Sequence, residues 1–103
     1  MAKEADVGRL IVYGRRLRVA REAAHISQSA LAAAIGCRQP FISKAEAGDM
    51  MLRPYDYAVV AQVLGTDLDA LLGALTPAEE EEVVRIAATA ARLVQQWRAS
   101  SPD

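Results

Sequence analysis

The chain has 103 residues, of which 52% are apolar and 24% charged, and its formal net charge is −1. This length suits one domain with at most one appended element, and the apolar fraction suffices for a small core. The single cysteine excludes an internal disulfide, and we find neither a signal peptide nor an apolar run of membrane-spanning length. A cytoplasmic protein without membrane contact is therefore expected.

The charges are unevenly divided along the chain. Residues 1–53 carry nine Lys and Arg against five Asp and Glu, whereas residues 54–103 carry three against eight. Binding to a polyanion depends on the local field at the contact surface rather than on the net charge. The basic half is thus compatible with a phosphate-binding surface, with the acidic half facing away. The alternative is that both charge runs are solvated faces, which we favour for the glutamates of 79–82.

A first helix is predicted from Val7 to about Ala24. Its inward face is formed by apolar side chains at helical spacing, namely Leu10, Tyr13, Leu17 and Ala20. His25 follows the helix at a position where a left-handed backbone is common, and His tolerates that conformation better than most residues. Because no partner residues for a His-based site are visible, we interpret His25 as a turn residue.

Two short helices joined by a tight turn are predicted next. Ser27 is a good N-cap for a helix from Gln28 to Ala34 or Ile35, and Gly36 supplies the backbone freedom for a sharp turn. The following helix runs from about Gln39 to Ala47, with Pro40 acceptable in its first turn.

The third helix has an apolar and a polar face. Ile42 and Ala45 are spaced to face inward, which leaves the polar side chains of this helix free. This is the layout of a helix-turn-helix whose second helix enters the major groove of DNA.

The next two helices complete a small core. Pro54 is a good first residue for a fourth helix, which turns Tyr57, Val60, Ala61 and Leu64 inward. A short fifth helix after Thr66 presents Leu68, Leu71 and Leu72.

A long helix is predicted beyond this core. Thr76 and Glu79 form a capping box with Pro77 at the first helical position, and the helix continues to about Ala99. Its apolar stripe consists of Val83, Ile86, Ala90, Leu93, Val94 and Trp97. At about 1.5 Å per residue this helix is longer than the small core can cover, so we interpret the stripe as a dimerisation seam. The alternative is that it folds back on its own domain.

An ordered set of motifs between Tyr13 and Leu72 resembles one family. The motifs are Ser27-Gln28-x-x-Leu31-Ala32, Gly36, Ile42-Ser43-Lys44, Glu46-x-Gly48 and Ala61-x-x-Leu64-Gly65-x-x-Leu68-x-x-Leu71-Leu72. They resemble the Cro/C1-type (XRE-like) helix-turn-helix regulators of phages and bacteria. The resemblance implies an all-α, five-helix, lambda-repressor-like DNA-binding domain at 1–73, with the helix-turn-helix at about 28–47. The long helix predicted within 74–103 is additional to this domain.

The resemblance also suggests which side chains of the third helix contact bases. Gln39 matches a position that commonly reaches base edges, and its amide suits adenine. Arg38 fits guanine or the DNA backbone, while Lys44 and Ser43 each fit a base or a phosphate. Phe41 packs either on a thymine methyl group or over the core.

Phosphate contacts are expected from the flanking segments. Gln28 resembles the phosphate-binding glutamine of the family and is helped by the N–H groups at its helix start. Ser27, Arg16 and Arg53 complete the predicted phosphate-binding set. Glu46 is expected to form a structural ion pair with an arginine of the first helix.

Enzymatic function is not supported by the residue inventory. The sequence has no phosphate-binding Gly-rich loop and no metal-ligand cluster, and its only His and Cys are far apart. We therefore predict neither a metal nor another cofactor, and interpret Cys37 as a packing residue rather than a redox sensor.

Two functions remain. The first is a dimeric repressor, of bacterial or phage origin and associated with the nucleoid when bound, that recognises a palindromic operator on double-stranded DNA. The second is an antitoxin-type protein-interaction module that binds a partner, such as a toxin, through the C-terminal helix.

Overall fold

Most of the described part of the chain is helical. The computed structural model describes residues 4–100 and contains six helices and no strand within that range. The helices are α1 (Glu4–Ala23), α2 (Gln28–Ile35), α3 (Gln39–Ala47), α4 (Pro54–Leu64), α5 (Leu68–Leu72) and α6 (Pro77–Ser100). This confirms the predicted all-α class, with five helices followed by a long C-terminal one. The predicted domain ranges also cover 1–3 and 101–103, which lie outside the described residues.

Local sequence signals define the ends of α2. The Ser27 hydroxyl accepts a hydrogen bond from the Ala30 backbone N–H at 3.0 Å, which satisfies one of the unpaired donors at the helix start. Gly36 ends α2 with a φ of 76°, a conformation that residues with a Cβ rarely adopt. His25 has a φ of 57° and is the one non-glycine residue with positive φ in the described range. The predicted left-handed turn at His25 is therefore confirmed.

Residues Leu10–Ala74 form one compact unit. Helices α1 to α5 and the loop before α4 all contribute to its core, which consists of Leu17, Leu31, Ala32, Ile42, Ala45, Leu52, Tyr57, Val60, Ala61 and Leu71. Leu52 lies in this loop, and its backbone N–H donates to the Tyr57 hydroxyl at 3.4 Å. The loop is thus held to α4 by burial of one side chain and by one buried hydrogen bond.

Fewer side chains of α5 are covered by the core than predicted. Leu71 is buried and Leu72 packs against the core, but Leu68 is 44% exposed. Leu68 lies on the same side of α5 as Leu72 but one turn earlier, at the first position of the helix, where the core does not cover it. The prediction that Leu68 faces inward is wrong for this reason.

Helices α1 and α3 approach each other closely at Gly14. A Cβ at Gly14 would overlap the Ala45 carbonyl oxygen and would lie 2.7 Å from that of Glu46. Backbone atoms cannot turn aside as a side chain can, so this packing requires glycine. The sequence analysis missed this contact, although a glycine inside a helix is itself a signal of close packing.

The described parts of 1–9 and 75–103 form a second compact unit. The predicted capping box is present, because the Glu79 N–H donates to the Thr76 hydroxyl and the Thr76 N–H donates to the Glu79 carboxylate. The start of α1 packs against α6 at Gly8, where a Cβ would lie 3.0 Å from Cγ1 of Val83. Residues 4–9 are thus grouped with α6, whereas the sequence analysis grouped them with the helix-turn-helix. None of the described helices is long and apolar enough to cross a membrane.

Candidate nucleic-acid interface

The two faces of α3 differ sharply in burial. Ile42 and Ala45 are buried in the core, whereas Arg38 and Lys44 are exposed at the start and near the end of the helix. Arg38 is the N-cap residue of α3, yet its side chain forms no capping hydrogen bond. The helix therefore presents cationic side chains to solvent while its apolar side is fully used in packing.

A chain of hydrogen bonds connects α3 to α2 and α1. The Gln39 side-chain amide donates to Oε1 of Gln28 at 2.7 Å, and the Gln28 amide donates to Oε1 of Glu46 at 3.1 Å. Nε of Arg21 donates to Oε2 of Glu46 at 2.6 Å, while Nη2 of Arg21 donates to Oε1 of Glu46 at 3.1 Å. The predicted ion pair between Glu46 and an arginine of the first helix is thus confirmed, with Arg21 as the partner.

The charge of Glu46 determines which group donates in each hydrogen bond of this network. The carboxylate only accepts hydrogen bonds, so Gln28 presents its NH₂ group to Glu46 and its carbonyl oxygen to Gln39. Gln39 must then donate one of its two N–H groups to Gln28, which fixes the orientation of its amide at the tip of α3.

The ion pair at the base of the network is well buried. The side chains of Glu46 and Arg21 are 4% and 11% exposed, and Nη1 of Arg21 also donates to the Ile26 carbonyl oxygen at 2.8 Å. The hydrogen bond to Glu46 raises the pKa of Arg21, because it favours the charged guanidinium. Several charge-assisted hydrogen bonds therefore hold the network to α1.

The predicted phosphate-contact residues occupy different environments. Gln28 lies at the first position of α2, and both the NH₂ group and the oxygen of its side-chain amide form hydrogen bonds. Ser27 caps the same helix. The Arg16 guanidinium donates to the carbonyl oxygens of Gly73 at 3.0 Å and Ala74 at 3.1 Å, and it lies over the Tyr13 ring. A phosphate would have to compete with these bonds for Arg16.

Arg53 forms an ion pair at the start of α4. Its Nε and Nη2 donate to the two carboxylate oxygens of Asp56 at 2.9 and 3.3 Å. The Arg53 side chain is 80% exposed, whereas that of Asp56 is 8% exposed. The outer part of the guanidinium therefore lies in solvent, while the buried carboxylate keeps its inner edge in place. Sequence analysis did not single out Asp56, whose buried pairing depends on the fold.

Phe41 lies beside a surface groove rather than in the core. The groove has a volume of about 570 Å³ and is lined by Gly36, Cys37, Arg38, Phe41, Met50, Met51, Leu52, Arg53 and Asp56. Phe41 is 46% exposed and Met51 is 40% exposed. Cys37 is partly buried and packs against the core, which agrees with its interpretation as a packing residue. Burial and the nearby Asp56 carboxylate raise the pKa of the Cys37 thiol.

The residues of the predicted dimerisation seam are buried to different degrees. Val83 is 6% exposed, and Ile86 and Ala90 are partly buried. Leu93, Val94 and Trp97 are 59%, 43% and 69% exposed. The apolar stripe is thus largely covered in the first half of α6 and exposed in the second.

One comparison with known proteins gives a match. A family model described as a helix-turn-helix domain matches residues 12–75. No curated protein and no solved structure matches the chain. The matched segment contains α2, the turn at Gly36 and α3, and it covers more than half of the 103 residues. The chain therefore belongs to the helix-turn-helix domain family.

Proposed function

We propose that this protein is a sequence-specific, double-stranded-DNA-binding transcriptional regulator of the Cro/C1 type, whose helix α3 enters the major groove. The supporting observation is the hydrogen-bonded chain from Gln39 through Gln28 to Glu46. A side chain that is held in one orientation before binding loses less conformational entropy when it contacts a base. Side chains at the start of a recognition helix are also those that reach base edges.

The fixed amide of Gln39 suits adenine. One N–H of Gln39 is directed to Gln28, and the amide has a second N–H and a carbonyl oxygen. Adenine presents an acceptor, N7, beside a donor, the N6 amino group, in the major groove. We therefore assign Gln39 to an adenine and the exposed Arg38 to a guanine or to the DNA backbone. Lys44 and Ser43 are assigned to a base edge or a phosphate.

The surroundings of the other candidate side chains decide which part of DNA we assign to each. Phe41 is an exposed residue of α3, so we assign it to a thymine methyl group. Gln28, with the N–H groups at the start of α2, and the solvent edge of Arg53 are assigned to phosphates. The Gln28 amide has a second N–H besides the one that it donates to Glu46. Ser27 and Arg16 are secondary candidates for phosphate contacts, because the Ser27 hydroxyl caps α2 and the Arg16 guanidinium donates to backbone carbonyl oxygens.

Regulators of this kind act most simply as dimeric repressors. A two-fold dimer presents two recognition helices to one face of DNA, so the operator is an inverted repeat with half-site centres about 34 Å apart or a multiple of that distance. The exposed end of α6 supports a protein contact of some kind. The alternative function, a module that binds a protein such as a toxin, uses the same surface but predicts that the chain alone is monomeric.

Selection of bound sequences from a random duplex pool tests the proposal. We expect an inverted repeat to be enriched, and placing this repeat across a promoter should lower reporter expression when the protein is present. A titration of salt should show a steep loss of affinity, because phosphate contacts release counterions. Enrichment of no sequence would contradict specific binding, and a single unrepeated site bound by one chain would contradict the dimer.

A further inference from the structure

The surface groove next to Phe41 is mainly apolar, although it adjoins the cationic residues of the candidate interface. Its volume of about 570 Å³ lies in the range of small-molecule sites. Most of its apolar lining comes from side chains that range from buried to exposed, namely Leu52, Cys37, Met50, Phe41 and Met51. Methionine side chains are flexible and polarisable. Such a lining can therefore adapt to the shape of an apolar group.

The ionisable groups of the groove leave one net positive charge. Arg38 and Arg53 are exposed, and Asp56 is the one acidic residue among the described residues of the lining. The buried Asp56 carboxylate accepts from two of the five N–H groups of Arg53, so the other three are open to a further acceptor. Burial raises the pKa of the Cys37 thiol, which therefore adds no negative charge. A monoanion is thus the charge complement of this groove.

Neither DNA nor a protein accounts for the whole groove. DNA would pair with the arginines, but the apolar group that its major groove presents is the thymine methyl, which Phe41 can cover without the methionines. A stable protein interface involves about 20–30 residues on each side, more than twice the number that line this groove. An occupant that uses both the cationic and the apolar side chains is therefore small and amphipathic.

We propose that this groove binds a small organic monoanion with an apolar body. The charged group of the ligand pairs with Arg38 and the outer edge of Arg53, while its apolar part lies against the two methionines and Phe41. Both arginines and Phe41 are also assigned to DNA, so the ligand and DNA compete for the same side chains. The consequence, release of DNA by the ligand, rests on the proposed function, whereas binding of the ligand does not.

Octanoate is a suitable probe, because it joins one carboxylate to an apolar tail. Octanol has the same tail without the charge, and acetate has the charge without the tail. In protein labelled with carbon-13 at the methionine methyl groups, octanoate should shift the signals of Met50 and Met51. We expect octanoate to bind about tenfold more tightly than either control, because hydrogen bonds to charged groups are the stronger ones. Unchanged signals, or equal affinity for octanoate and octanol, would overturn the proposal.

Substitutions separate the ionic from the apolar contribution. Arg38→Gln should weaken octanoate binding about tenfold and remove the preference for octanoate over octanol, since it deletes the charge and keeps a polar side chain. Met51→Ala should weaken the binding of both probes about threefold, because the apolar contact serves both. Arg98→Gln removes an exposed arginine of α6 and is the matched control, which should keep the preference. Equal losses in Arg38→Gln and Arg98→Gln would overturn the ionic contact.

The exposed end of α6 is the other place where an apolar probe could bind. Trp97 is the only tryptophan of the chain and is 69% exposed there, so its fluorescence reports on that surface. We expect octanoate to shift the methionine signals at concentrations that leave the Trp97 emission unchanged. A change in Trp97 emission without methionine shifts would place the probe on α6 and overturn the proposal.

Competition with DNA separates this inference from the proposed function. At about ten times its dissociation constant, octanoate should lower the affinity for the selected operator about tenfold, whereas sodium acetate at the same ionic strength should not. Undiminished operator affinity while the methionine signals are fully shifted would overturn the competition. Methionine shifts in a chain that enriches no DNA sequence would overturn the regulator and leave the ligand site intact. Specific DNA binding by a chain whose methionine signals ignore octanoate would do the reverse.

Discussion

Helices α3 and α6 are both amphipathic but differ in how far their own unit buries them. The apolar face of the nine-residue α3 is fully buried at Ile42 and Ala45. In the 24-residue α6, Val83 is buried while Leu93 and Trp97 are largely exposed. The difference follows from length, because about 36 Å of helix exceeds what a unit of this size covers. A short amphipathic helix completes its own core, whereas a long one has apolar surface left for a partner.

The polar faces of the two helices differ as well. The polar face of α3 is anchored to α1 and α2 through Glu46, Gln28 and Gln39. The exposed apolar end of α6 is flanked by arginines whose charge is opposite to that of its start. The polar face of α3 is thus held in place by hydrogen bonds, whereas the end of α6 leaves apolar side chains in solvent.

The sharpest test of this comparison removes one apolar side chain from each helix. Ile42→Ala should lower the free energy of unfolding by about 2–5 kcal/mol, because it leaves a cavity at a fully buried position. Leu93→Ala should change it by less than about 0.5 kcal/mol in dilute solution. Urea unfolding of both variants at one low protein concentration measures the difference. Equal losses would show that the end of α6 is part of a core.

The second test removes the anchor of the α3 network. Glu46→Ala should lower the free energy of unfolding by about 3 kcal/mol, because it leaves the mostly buried Arg21 without its carboxylate. Thermal unfolding provides the measurement. Glu22→Ala removes an exposed glutamate that pairs with Arg18 at 2.8 Å and lies 3.9 Å from Nη2 of Arg21. It serves as the matched control, for which we expect little change because Arg21 keeps its bonds to Glu46. If both variants lost the same free energy of unfolding, burial of the Arg21–Glu46 pair would not explain the effect of Glu46→Ala.

The third test disturbs the contact between α1 and α3. Gly14→Ala should lower the free energy of unfolding by roughly 1–3 kcal/mol, because the new Cβ overlaps backbone oxygens that cannot turn aside. Alanine has the higher helix propensity and would otherwise stabilise α1 by about 1 kcal/mol. Calorimetric melting distinguishes the two effects by sign, and a rise in melting temperature would exclude the tight approach at this glycine.

The fourth test concerns base recognition by α3 and measures affinity rather than stability. Gln39→Ala should reduce the affinity for the selected operator by about 1–3 kcal/mol and relax the preference at one base pair in each half-site. Affinity for random duplex should change little, since the phosphate contacts remain. Fluorescence anisotropy with both duplexes gives the two values, and Gln62→Ala, in the exposed part of α4, is a matched control. Equal losses on both duplexes would remove Gln39 from the base contacts.

Much of the fold could be predicted because its signals are local. Ser27, Gly36, Pro54 and the capping box at Thr76 mark helix ends through their own backbone and side-chain preferences. The spacing of Ile42 and Ala45 likewise identifies the buried face of α3. Leu68 was mispredicted because the inward face of a one-turn helix depends on its neighbours.

The site was less predictable because its key contacts join residues far apart in the chain. Glu46 was expected to pair with an arginine of the first helix, but only the packing of α1 against α3 selects Arg21. The bond between Gln28 and Gln39 depends on the angle of the turn between α2 and α3. The burial of Asp56 beneath Arg53 had no sequence signal.

Intrinsic residue preferences and helical spacing were enough to predict the six helices, the caps at Ser27 and Thr76, and the burial of Ile42 and Ala45 in α3. The tertiary structure decided which polar groups meet, where α1 requires a glycine, and where the apolar stripe of α6 passes from burial into solvent. Those outcomes depend on distances between elements, which a repeating pattern along one chain does not specify.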